Sequence, residues 1–149
     1  MIEIKKFSTK QELNNELDQQ QYVNFLYENL DQFRDEKNAI SKAIDYAFSD
    51  QPGKGGFLLG GFQEKKLVAA VVMNRTGMSR YIPENILVYV AVDPNLRGKG
   101  LGGKIISKAL ELADGNTALH VEYDNPAKRL YERLGFKSKY AEMRFSKDG

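Results

Sequence analysis

The spacing of apolar and polar positions changes several times along the chain. Residues 1–7 alternate weakly, with Ile2 and Ile4 on one side, and predict a short strand. Ser8 followed by Gln11 reads as a capping box opening a helix that carries Leu13 and Leu17 on one face. Tyr22, Val23, Phe25, Leu26 and Leu30 predict a second helix. A third, starting near Asp35, holds Ile40, Ala43, Ile44, Ala47 and Phe48 at helical spacing. Residues 50–56 are rich in Gly and Pro and mark a loop. The apolar runs 56–62 and 67–74, split by polar residues 63–66, predict an antiparallel hairpin, with a longer loop over 74–84. The nearly unbroken run NILVYVAVD at 85–93 predicts a central strand buried on both faces, stopped by Asp93-Pro94.

Past that strand the period returns to that of a helix. Leu101, Ile105, Ala109 and Leu112 place a helix over 101–114, broken by Gly115-Asn116. Residues 117–123 predict another strand. Pro126 suits the first turn of a helix running to Leu134, with Gly135 at its C-cap. Residues 136–145 predict a last strand. The pattern implies an α/β fold built on a mixed sheet, forming a single domain over 1–149.

Composition narrows the chemistry. A chain of 149 residues with 42% hydrophobic and 28% charged residues matches one ordinary folded domain. The absence of cysteine excludes disulfides, thiolate metal sites and a cysteine acyl-enzyme. A lone histidine, His120, excludes a multi-histidine metal centre, and no metal is expected. No apolar run reaches the roughly 18 to 20 residues of a membrane span. The first residues carry no apolar signal core, so a cytoplasmic location without membrane partners is the expectation. The net charge of +2 is too small for a nucleic-acid binder. It conceals an asymmetry: residues 1–50 hold 6 basic against 10 acidic side chains, and residues 97–149 hold 11 against 7. The basic end suits an anionic small molecule, and it suits solvated helix faces equally well.

The densest chemical signal is VYVAVDPNLRGKGLGG at 88–103, a buried strand passing through glycines into a helix. Glycines let the backbone approach a ligand closely. The unpaired N–H groups of the helix's first turn then face outward at the positive end of its dipole, which makes a phosphate site. Arg97, Lys99 and Lys104 add positive charge. A Walker A loop is absent, and Gly53-Lys54-Gly55 lacks its context. Gly98, Gly100 and Gly103 satisfy the letter of the dinucleotide fingerprint. That motif belongs at a first strand with several βα units behind it, however, and only 46 residues follow Gly103. A pyrophosphate-bearing ligand held by a small fold with a late motif remains.

These residues resemble the GNAT N-acetyltransferase superfamily. Its acetyl-CoA motif, Q/R-x-x-G-x-G/A, is met by Arg97-Gly98-Lys99-Gly100-Leu101-Gly102. Its second motif, N-x-x-A-x-x-x-Y-E-x-x-G-F, is met in register from Ala127 through Tyr131, Glu132 and Gly135 to Phe136. Asp124 stands at the motif's asparagine position, and Asn125 follows one residue late. The likeness is good over residues 56–145, whereas residues 1–50 share only a helix pattern.

The resemblance implies a mostly antiparallel mixed sheet with a splayed parallel strand pair and flanking helices. It implies acetyl-CoA as cosubstrate, its diphosphate on the backbone of Gly98 to Gly103 and its pantetheine arm along Val90 and Val92. Asn125 and Ala127 would touch it, and a homodimer is common among relatives. The Val90 N–H would polarise the thioester carbonyl, and Tyr131 holds the family's general-acid position. An alkylamine, with a pKa around 10, must lose a proton before it attacks. The position eleven residues before Arg97, where some members carry a glutamate base, is Ile86. Glu122 is the first choice of base here, Glu84 the second and His120 the third. Tyr81 and Tyr89 are candidate walls of an acceptor cleft. The expected activity is acetyl transfer to a primary amine of a small molecule or amino acid by direct attack in a ternary complex. The alternatives are a peptide or protein amine as acceptor, and a CoA-binding module without catalysis.

Overall fold

The structure is a computed structural model and describes residues 1–148. Strand β1 (Glu3–Phe7) leads into helices α1 (Lys10–Asn14), α2 (Gln19–Asn29) and α3 (Lys37–Ala47). The hairpin β2 (Gly56–Gln63) and β3 (Lys66–Arg75) follows, then β4 (Asn85–Val92), α4 (Leu101–Leu112), β5 (Thr117–Leu119) and α5 (Ala127–Arg133). The five strands lie in the order β1-β2-β3-β4-β5, antiparallel except for the parallel pair β4/β5.

Local chemistry accounts for most element ends. The box at α1 is Thr9 with Glu12, one residue later than the Ser8–Gln11 reading, and α2 opens on a second box of Asp18 with Gln21. α3 starts at Lys37 rather than Asp35 and buries Ile40, Ile44 and Ala47 at the i, i+4, i+7 spacing of one face. Gly135, with φ +105°, receives the end of α5 as anticipated.

Two apolar layers sandwich the sheet. One packs α1, α2 and α3 on β2–β4 through Leu13, Tyr22, Leu26, Ile40, Ile44, Leu58 and Val72. The other packs α4 and α5 on the opposite face through Leu59, Val71, Met73, Ile105, Ile106 and Tyr131. The Tyr22 hydroxyl is wholly buried and reaches the carbonyls of Leu59 (2.8 Å) and Val71 (2.9 Å), which meets the demand that a buried polar group be bonded.

Three strand expectations are corrected. β4 is buried on both faces only in part, since Val88, Tyr89, Val90 and Val92 are half-exposed. β5 pairs over Thr117–Leu119 alone instead of 117–123. No strand forms over 136–145, where Tyr140, Met143 and Phe145 are 84%, 90% and 88% exposed. A strand persists through pairing, and neither segment has a neighbouring strand to pair with.

Candidate active site

The site begins with an irregularity in β4. Met73 of β3 pairs with Leu87 and Val72 pairs with Tyr89, so Val88 is an extra residue, a β-bulge. It reverses the strand's parity. Before it, Leu87 faces the α4 layer. Val88 and Tyr89 both face the α2/α3 layer, and Val90 and Val92 face α4 again. The edges exchange as well. The Asn85 N–H points to β5 and donates to Asn116 (3.0 Å), whereas the Asp93 N–H points to β3 and donates to Val68 (2.8 Å). Antiparallel alternation therefore puts Tyr89 and Ala91 on β3 and turns the N–H and C=O groups of Val90 and Val92 to the other edge. Pairing with β5 ends at Leu87–Leu119, immediately before the bulge. Beyond it β4 has no strand partner on this edge: the Val92 carbonyl accepts the Arg97 Nε (3.2 Å) and the groups of Val90 stay open, an edge of the kind that accepts an extended ligand as an added strand.

That edge runs into the glycine turn. Gly98 and Gly100 both have φ +80°, in the left-handed region, and a Cβ built on either meets nothing within 4 Å. Gly100 is the N-cap of α4, and its carbonyl accepts the first helical bond from Lys104 (3.1 Å). The N–H groups of Leu101, Gly102 and Gly103 thus have no intrahelical acceptor. Leu101 anchors the turn by burying its side chain. Gly102 is small for another reason: a Cβ there would press on Leu130 of α5 at 3.3 Å. Lys99 and Lys104 are exposed and in no ion pair among the described residues.

The second motif lies behind the open edge. Tyr131 belongs to the same apolar layer as Val90, Val92 and Ala127. Its ring meets Phe136 edge-on at 5.9 Å, and burial pushes its phenol up to about 12. Its hydroxyl makes no hydrogen bond among the described residues. Asn125 closes a local turn just before α5, its Oδ1 accepting the Ala127 N–H at 2.9 Å, which leaves its amide nitrogen free to face a ligand. Asp124 is exposed.

The three base candidates separate. Glu122 and His120 lie on the segment that follows β5, both exposed. Glu84 precedes β4 at the far end of the strand. Its carboxylate accepts the N–H groups of Asn116 (2.7 Å) and Arg80 (3.1 Å), and these bonds hold it below the usual carboxylate range. Tyr81 is exposed in the same distant loop.

Two contacts at the cleft were not read from the sequence. The Arg97 guanidinium, expected to lend charge to the turn, turns three of its five N–H groups to acceptors elsewhere. It donates to the carbonyls of Val92 (3.2 Å) and Asn29 (3.0 Å) and to the Asp31 carboxylate (3.2 Å). Asp31 has φ +54°, a left-handed state costing an L-residue roughly 1 kcal/mol. The Tyr89 hydroxyl donates to Asp35 at 2.5 Å, and burial together with this carboxylate raises its pKa well above the ordinary value. No local motif announces either pair.

An open strand edge feeding a left-handed glycine turn, in a mixed sheet with one parallel pair, is an arrangement whose shape and free N–H groups suit an extended diphosphate ligand. A family profile described as an acetyltransferase (GNAT) domain matches residues 58–138, over half the chain, and the protein belongs to that acetyltransferase family. No curated protein matches the sequence. Among solved structures, a possible acetyltransferase from Clostridium difficile 630 aligns over 98% of this chain and 97% of its own, at 20% identity and TM-score 0.67. The aminoglycoside N-acetyltransferase AAC(6')-Iy, in complex with CoA, aligns over 99% and 95% at 11% identity and TM-score 0.71. A ribosomal-protein-alanine N-acetyltransferase from Brucella melitensis biovar Abortus 2308 aligns over 98% and 99% at 15% identity and TM-score 0.63. At these identities the likeness is one of fold.

Proposed function

We propose that the protein moves the acetyl group of acetyl-CoA to a primary amine of a small molecule or amino acid, by direct attack in a ternary complex. The observation that carries this reading is the continuity of the open β4 edge with the turn at Gly98 and Gly100. The residues fit the cosubstrate. The space outside the two glycines is what a Cβ would otherwise fill, and the free N–H groups at the start of α4 suit a diphosphate.

Bound there, acetyl-CoA supplies an activated acyl carbon and a thiolate leaving group. The N–H groups of Gly98 to Gly103 hold its diphosphate, with Lys99 and Lys104 as flanking charge. The Val90 N–H donates to the thioester oxygen and stabilises the charge that develops on it. Glu122 removes the proton that the attacking amine must lose. Tyr131 donates its hydroxyl proton toward the departing sulfur. A phenol pushed up to about 12 is a weaker acid than a thiol of about 8.5, so it acts chiefly as a hydrogen-bond donor to the developing thiolate.

The α2–α3 connection supports a cationic acceptor. It sorts its charges: Arg34 and Lys37 both lie over the Tyr27 ring, at 4.0 and 5.0 Å from its centre, while Asp35 turns to Tyr89 on β4.

Titration calorimetry with CoA, NAD and ATP tests the cofactor, with CoA expected to bind at least about tenfold more tightly than either nucleotide. Release of CoA from acetyl-CoA over a panel of amines tests the reaction. Equal affinity for the three ligands, or CoA binding without turnover on any amine, refutes the respective half of the proposal.

A further inference from the structure

The Arg97 side chain opens the cofactor motif, yet it bonds to groups that precede it by 66 and 68 residues in the chain. Each nitrogen of the guanidinium has its own partner on a different element. Nε bonds the Val92 carbonyl at the end of β4. The two terminal nitrogens bond the Asn29 carbonyl at the end of α2 and the Asp31 carboxylate just beyond it. The Asn29 carbonyl lies at the negative end of the α2 dipole, where a cation is favoured. Asp31 and Asp35 bracket one short connection. Asp35 is fixed independently to Tyr89, which is rooted in the sheet upstream of the turn. The end at Asn29–Asp31 is held by its own helix and by Leu30 packing on the core, and its one side-chain tie to the glycine turn among the described residues is Arg97, the first residue of that turn.

We infer that Arg97 is a positioning residue that transmits occupation of the cofactor turn to the end of α2 and the α2–α3 connection, residues 28–36. This rests on the cofactor reading above. Leu101 anchors the far side of the turn, while Gly98 and Gly100 leave its outer face open, so a ligand there bears directly on the backbone that carries the guanidinium. A diphosphate on the turn's N–H groups fixes the Arg97 backbone. The guanidinium then holds the α2 terminus and Asp31 in place. Ordering carried this way is a coupling between two sites through one side chain.

Hydrogen–deuterium exchange on the full chain, with and without CoA, reads the coupling without any acceptor. In the wild type CoA slows exchange at residues 98–104 and, by about fivefold or more, at residues 28–36. In Arg97→Gln the CoA-dependent slowing persists at 98–104 and is lost at 28–36. Asp31→Asn, which leaves both carbonyl bonds in place, retains part of it. A purely structural role would speed exchange at 28–36 equally with and without CoA and leave no ligand-dependent difference between variants. Slowing at 28–36 that survives Arg97→Gln overturns the inference, as does wild-type slowing confined to 98–104. Absence of any slowing at 98–104 defeats the cofactor reading, and this inference falls with it.

Discussion

The two halves of β4 differ more from each other than either does from its neighbours. From Asn85 to Leu87 the strand is paired on both edges, to β3 and to β5. The Asn85 side chain is buried and donates to the carbonyls of Asp114 (2.7 Å) and Asn116 (3.3 Å), while Glu84 just upstream gathers backbone N–H groups. From Val88 to Val92 one edge is open, most side chains are half-exposed, and the chain continues into two left-handed glycines. One inserted residue separates the halves. The bulge at Val88 exchanges which residues face the outer edge, and the partner strand departs at that point. An unpaired edge inside a sheet is normally a liability. Here the first half of the strand carries the polar ties that let the second half stay open.

The largest effect should come from filling the open half. Gly100→Trp places a side chain in the space where nothing now lies within 4 Å and forces an L-residue to φ +80°. CoA affinity should fall about 100-fold, equivalent to about 2.7 kcal/mol of binding, with thermal stability changed much less. Calorimetry against CoA decides it, and an affinity within about threefold of wild type would remove the turn from the site.

Next comes Tyr131→Phe. The ring keeps its packing against Phe136 while the donor disappears. We expect kcat to drop about 10- to 100-fold with cofactor affinity nearly unchanged. Equal rates in steady-state assays would take the hydroxyl out of the chemistry and leave Tyr131 a part of the apolar layer alone.

These two residues were legible in the sequence because their signals are local. A glycine turn between a strand and a helix, and a tyrosine at fixed spacing from Gly135, survive as short strings. The hairpin, α4 and α5 were legible for the same reason. The bulge was not. Val88 sits in a run of apolar residues whose faces cannot be told apart by pattern, so the parity change left no trace. The end of β5 follows from the bulge and was equally hidden. Residues 140–145 alternate as a strand should, but alternation does not supply a partner. The Arg97 and Tyr89 pairs join residues 66 and 54 positions apart, a separation that only the fold closes.

The smallest effect sharpens the comparison from the structural half. Glu84 accepts N–H groups from Asn116 and Arg80 as a carboxylate, and a Cβ on Gly115 would strike it, so it is fitted into the turn that launches β5. Its pKa in the fold lies below the ordinary 4.5, chiefly through the Asn116 bond. A depressed carboxylate stabilises the fold above its unfolded pKa, and that contribution disappears as pH falls through the lower folded value. Glu84→Gln should therefore lower the urea midpoint at pH 7, and the gap to wild type should begin to close below about pH 4.5 and vanish once the native carboxylate is protonated. Turnover at saturating substrate should not change, because the residue stands at the paired end of the strand. A gap that is the same at pH 7 and pH 3 would mean the effect is shape rather than charge. A loss of kcat without loss of stability would return Glu84 to the list of bases and erase the division between the two halves of β4.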